Sequence, residues 1–161
     1  MILLIETAIL CILFTLMVYV MSKNPIKTLY NYPPKVIEKV KSLDEYKDKI
    51  PTTKNMILAK TMVVFAIVII VSLILRYING YNTFTESFIA SFIIWTIVNL
   101  YDVIVMDCLW FCRSPKFVFK GTENIINEYK NYWFHIKQGL IGQVIGTIVC
   151  IITGLVVHFI L

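Results

Sequence analysis

Charge is scarce in this chain. Of its 161 residues only 16% are Asp, Glu, Lys or Arg, while 58% are hydrophobic. A soluble domain carries about 25% charged residues, so an ordinary water-facing surface cannot be built from this composition. Histidine is scarcer still: there are two, His135 and His158. On one helix they stand ~34 Å apart at ~1.5 Å per residue, too far to ligate one haem. The four cysteines, Cys11, Cys108, Cys112 and Cys150, lie in or beside apolar runs. None pairs with another across a polar loop, which excludes a disulfide framework. Cys11 and Cys150 read as small apolar packing residues. No run alternates with period 2, which argues against a β-barrel. There is no P-loop, no G-x-S-x-G and no H-E-x-x-H. No motif names a cofactor or a reaction.

What the chain does have is four long apolar runs, and its mean hydropathy is +0.77. They fall at about 1–21, 56–77, 84–112 and 136–161, with polar loops at 22–55 and 113–135. An apolar run of ~20 residues crosses a bilayer as a helix, and a helix satisfies its backbone groups without water. The expected fold is all-α: one four-helix transmembrane domain spanning 1–161. The first run has no basic flank before it, carries Glu6 and is followed by no small-x-small site. It therefore reads as a retained span rather than a secretory signal.

The net charge of +5 is concentrated. The first loop and its edges hold Lys23, Lys27, Lys35, Lys39, Lys41, Lys47, Lys49, Lys54 and Lys60. The second holds Arg113, Lys116, Lys120, Lys130 and Lys137, whereas the short link between the second and third runs has only Arg76. Basic residues mark cytoplasmic loops. Both basic loops are thus expected inside and both termini outside, in a multi-pass protein of the cell membrane. The interleaved acids Glu38, Asp44, Glu45 and Asp48 argue against nucleic acid. The bilayer, and anionic headgroups beside the Lys and Arg loops, are the expected partners. A bundle this small is also expected to work as a homo-oligomer or beside a partner membrane subunit.

Each loop is expected to carry a short amphipathic helix. Val36, Ile37, Val40, Leu43 and Ile50 recur at helical spacing before Pro51. Such a helix either lies on the membrane face or packs on the underside of the bundle. In the second loop Thr122 is placed to cap a helix from Glu123 that presents Ile125, Ile126 and Tyr129.

The polar anomaly is "NLYDVIVMDCLWFCRSP", Asn99–Pro115. At ~1.5 Å per residue Asp107 lies ~8 Å and Asp102 ~15 Å from Cys112 along the third span. A carboxylate near the midplane costs about 2.5–3.5 kcal/mol. Asp102 is therefore expected to face the bundle interior, to be protonated, or both. At ~100° per residue, Trp95, Asn99, Asp102, Asp107, Trp110 and Arg113 share one broad sector. These residues, with Lys116, form the expected substrate-binding set. In the last run Gly142, Gly146, Cys150 and Gly154 recur every four residues, a seam for close helix packing, with Gln138, Gln143 and Thr147 nearby.

Three functions follow. The first is a binding or transport component for an ion or small polar cargo, since intramembrane ionisable groups default to that role. The second is a membrane enzyme on a lipid or lipid-linked phosphate, with Asp107, Asp102 and His135 catalytic and Arg113, Lys116 and Lys120 clamping phosphate. The third is a structural or assembly subunit. Cys108, Cys112 and His135 with Asp107 make only a weak metal pattern, and no metal site is expected.

Overall fold

The computed structural model describes residues 2–161. Helices carry the architecture, with no strand among the described residues. Helix α1 spans Ile2–Ser22 and α2 Pro34–Ser42. Helix α3 runs Thr53–Leu73 and continues as a π-helix, Ile74–Ile78. Helix α4 runs Phe84–Tyr101 and continues as a longer π-helix, Asp102–Trp110. A short α5, Ile126–Tyr129, precedes α6, Tyr132–Phe159. Four of the helical stretches, Ile2–Ser22, Lys47–Ile78, Phe84–Arg113 and Tyr132–Phe159, are long and apolar enough to cross a membrane.

Local chemistry fixes where the long helices begin. Thr52 accepts a hydrogen bond from the Asn55 amide at the start of α3. Thr83 and Glu86 form a reciprocal capping box on α4. Asn131 accepts from the Phe134 amide on α6 at 3.0 Å. Each cap satisfies an amide that the first turn leaves unpaired. Between α3 and α4 the chain reverses through Gly80, whose φ of +73° is a left-handed conformation that glycine adopts without strain.

Helices α4 and α6 share the most extensive interface in the molecule. They run antiparallel, and glycines of α6 meet bulk on α4 and its π continuation. A Cβ on Gly139 would strike Val103, and one on Gly146 would strike the Trp95 indole. A Cβ on Gly154 would come within 2.9 Å of the Phe84 ring. Cys150, on the same stripe, is 2% exposed. Helix α1 is less buried than α3. Helix α1 packs mainly on α4, whereas α3 packs on α6.

The tightest apolar cluster lies in the two loops, which fold against each other at one end of the bundle. Ile26, Leu29, Tyr32, Val36 and Val40 of the first loop pack with Phe117, Phe119 and Tyr129 of the second. Leu29, Val36 and Val40 are fully buried. Burying each such side chain is worth about 1.5–3 kcal/mol. Of the two sequence readings of α2, a helix on lipid or a helix packed on protein, Val36 and Val40 adopt the second. Lys35 bridges the loops to Glu128 at 2.6 Å. Thr122 differs from expectation. Its side chain caps nothing; its hydroxyl donates to the Phe119 carbonyl at 2.6 Å. Its single proton is thereby used, so Tyr129 donates to Thr122 at 2.7 Å and accepts from the Phe119 amide at 3.2 Å. Burial pushes the Tyr129 and Tyr32 phenols above their ordinary range.

Candidate functional site

The third long helix does not stay α-helical through its polar stretch. From Asp102 to Trp110 it widens into a π-helix of 9 residues, a conformation that is rare and often found at functional sites. Each π turn takes in more residues, so each residue advances by less than ~100° about the axis. A face extrapolated from Asn99 at α-helical spacing therefore slips out of register beyond Asp102.

The residues that the sequence places on one face are divided. Asn99 turns to α6, where its amide donates to the Gly139 carbonyl at 3.1 Å and to Gln143 Oε1 at 3.3 Å. Gln143 in turn donates to Thr96 at 3.0 Å. Trp95 lies over Gly146. These are inter-helix packing bonds. Trp110 stacks on Tyr19 at 6.5 Å and meets Phe117 edge-on at 5.5 Å. Lys116 sits 5.7 Å from the Tyr19 ring centre. Arg113 borders a separate shallow cleft with Lys130. Trp95, Asn99, Trp110, Arg113 and Lys116 do not join the two aspartates in a common site.

Asp102 and Asp107 line a cavity of about 430 Å³ at the loop end of the bundle. All four long helices contribute to it. Phe14, Met17, Val18 and Met21 come from α1, and Lys60 comes from α3. The π segment supplies Asp102, Met106 and Asp107, and α6 supplies Phe134, His135 and Gln138. Tyr30, Asn31 and Tyr32 of the first loop close one side, and Phe111 and Phe117 another. Ligand pockets are typically ~300–1,000 Å³, mostly apolar, with a few convergent polar groups.

The polar groups are of three kinds. His135 Nδ1 lies 3.2 Å from Asp107 Oδ2, with the imidazole 2% exposed and flanked by Phe111 and Phe134. In a neutral ring a carboxylate in that position fixes the proton on Nδ1 and makes Nε2 the acceptor. Nε2 is buried and has no protein partner, and neither has the hydroxyl of Tyr32. Asp102 takes part in none of the three ion pairs found among the described residues. Lys60 Nζ donates to Asn31 Oδ1 at 3.0 Å on the exposed side of the cavity.

His135 and the two aspartates were legible as candidates from the sequence. Gln138 was within reach of the sequence as a polar group of the last run, whereas Lys60, Asn31 and Tyr32 escape sequence-based site assignment. Lys60 looks like a loop charge at a span edge, and Tyr32 and Asn31 look like turn residues before a Pro pair. Cys108 and Cys112 do not line the cavity, and no group of three or more His, Cys, Asp or Glu among the described residues is arranged to hold a metal. No family model, curated protein or solved structure matches the chain.

Proposed function

We propose that this protein is a multi-pass cell-membrane component that binds a small polar cargo in the cavity between its four long helices, on the cytoplasmic side. The observation that carries this reading is the cavity itself. It joins residues of four otherwise apolar helices around Asp102 and the Asp107–His135 pair. A mostly apolar pocket with a few convergent polar groups is the usual form of a small-ligand site. The basic bias of the two loops is what supports a cytoplasmic cavity mouth. Movement of the cargo across the membrane would need a second opening, toward the end at which Asn79 bonds Glu6 at 3.1 Å. A transport role therefore goes with rearrangement of α1, the helix with the least packing to lose. Anionic headgroups are expected around the exposed lysines of the loops, and assembly with a second copy or a partner membrane subunit belongs to the same reading.

The test is a thermal-shift screen of purified protein in detergent, with amines, amino acids, carboxylates and inorganic ions. A stabilising compound should lose its effect in Asp102→Asn and in His135→Gln. A compound that stabilises both variants as strongly as wild type would remove this cavity from consideration.

The Asp107–His135 pair supports a second reading, an enzyme in which His135 Nε2 is a general base oriented by Asp107. The phosphate clamp once assigned to Arg113, Lys116 and Lys120 does not converge on that base, since none of the three lines the cavity. Binding is accordingly the better-supported function.

A further inference from the structure

The chemistry of the cavity wall selects the charge of its ligand. His135 Nδ1 lies 3.2 Å from Asp107 Oδ2, so that carboxyl already has a partner. Asp102 presents a carboxylate outside every ion pair among the described residues. Among the lining residues the acidic groups, Asp102 and Asp107, outnumber the one lysine, Lys60. A cation bound beside Asp102 favours the ionised form of that carboxyl. The complement is a monovalent cation with hydrogens or methyl groups to offer.

The rest of the wall narrows the class further. Phe14, Tyr30, Tyr32, Phe111, Phe117 and Phe134 line the same space. Aromatic faces attract organic cations, and cages of such rings recognise methylated ammonium groups. A strongly hydrated inorganic ion would want oxygen ligands in place of these rings. We infer that the cargo of this cavity is a small organic cation, a primary to quaternary ammonium with apolar substituents, its charge held by Asp102 and its body held among the aromatic rings. This inference rests on the binding reading above and adds the class of ligand.

Choline chloride and its uncharged carbon isostere, 3,3-dimethylbutan-1-ol, separate charge from shape. Isothermal titration is done with the full chain in dodecylmaltoside, a detergent that carries no ammonium group. Choline should bind, and the isostere should bind at least about tenfold more weakly. Gln138 lines the cavity and is exposed, so either charge is tolerated there. Gln138→Lys should weaken choline binding and Gln138→Glu should strengthen it, while both keep the wild-type elution volume. Asp102→Asn should abolish binding; if that variant does not fold, the Gln138 pair still decides. Equal binding of choline and isostere, or the reverse order for the two Gln138 variants, overturns the organic-cation inference and leaves the binding reading intact. So does binding of acetate or sodium in place of choline. Silence of choline, isostere, acetate and sodium alike would overturn both.

Discussion

Tyr129 shows how a single side chain can close a loop. Its hydroxyl is saturated by the Phe119 amide and the Thr122 hydroxyl, and its ring stacks with Phe111 at 6.5 Å and meets Tyr32 edge-on at 5.9 Å. Tyr129→Phe keeps the ring and strands the Phe119 amide, so it should cost about 1–3 kcal/mol, read as a lower melting temperature of the loop cluster. The same cluster predicts an alkaline transition. Burial raises the phenols of Tyr32 and Tyr129 above the usual ~10. A group whose folded pKa is raised contributes stability below its unfolded value and loses it as pH rises above that value. The loops should therefore loosen above about pH 10, read as loss of near-UV dichroism. An alkaline midpoint unchanged in both Tyr32→Phe and Tyr129→Phe would show that these phenols are not held in a packed core.

At the scale of elements, the sequence discloses the regular parts and hides the irregular ones. The four apolar runs announced four long helices because length and hydropathy alone decide that a segment avoids water. The glycine spacing of α6 was legible for the same reason, since i, i+4 periodicity is a property of any straight helix. The π-helix at Asp102–Trp110 was not legible. It changes the rotation per residue without changing composition, and so it redirected Trp110 and Arg113 away from a face on which α-helical spacing had put them. The loop cluster was also hidden, because the apolar face of α2 fits a lipid surface as well as it fits Phe117 and Phe119. The α4–α6 seam gives the direct test at this scale. Gly146→Leu drives a side chain into the Trp95 indole, and overpacking of this kind costs about 1–3 kcal/mol. Val144→Leu, on the exposed side of α6, should change the melting temperature little. Trp95→Ala combined with Gly146→Leu should recover part of the loss. Equal shifts for Gly146→Leu and Val144→Leu would mean that the seam is not the close contact of the bundle.

The whole molecule is organised inside out, with its driest packing in the loops and its largest apolar side chains facing outward from the long helices. Leu4 is 67% exposed, Leu58 60%, Phe65 64% and Val144 66%, while Val36 and Val40 in the loops are 0%. Exposed apolar surface on this scale requires a partner surface, and for helices of this length lipid is the natural one. The two loops share one buried cluster, so they lie on one side of whatever surrounds the helices. The Gly80 turn, where His158 approaches the Asn82 carbonyl at 3.4 Å, lies at the other end. The proposed direction rests on the basic residues, since only Arg76 is on the Gly80 side. Single cysteines placed at Lys41, Lys120 and Asn82, all exposed, in a chain without its native cysteines, should report this arrangement in intact cells. A membrane-impermeant maleimide should label the Asn82 position from outside. The Lys41 and Lys120 positions should react only after permeabilisation, and together, because the loops are one packed unit. Labelling of Lys41 and Asn82 from the same side would break the four-span arrangement. Labelling of Lys41 from outside and Asn82 from inside would keep the spans and invert the molecule, moving the Asp102 cavity to the outer face and its cargo to the external medium.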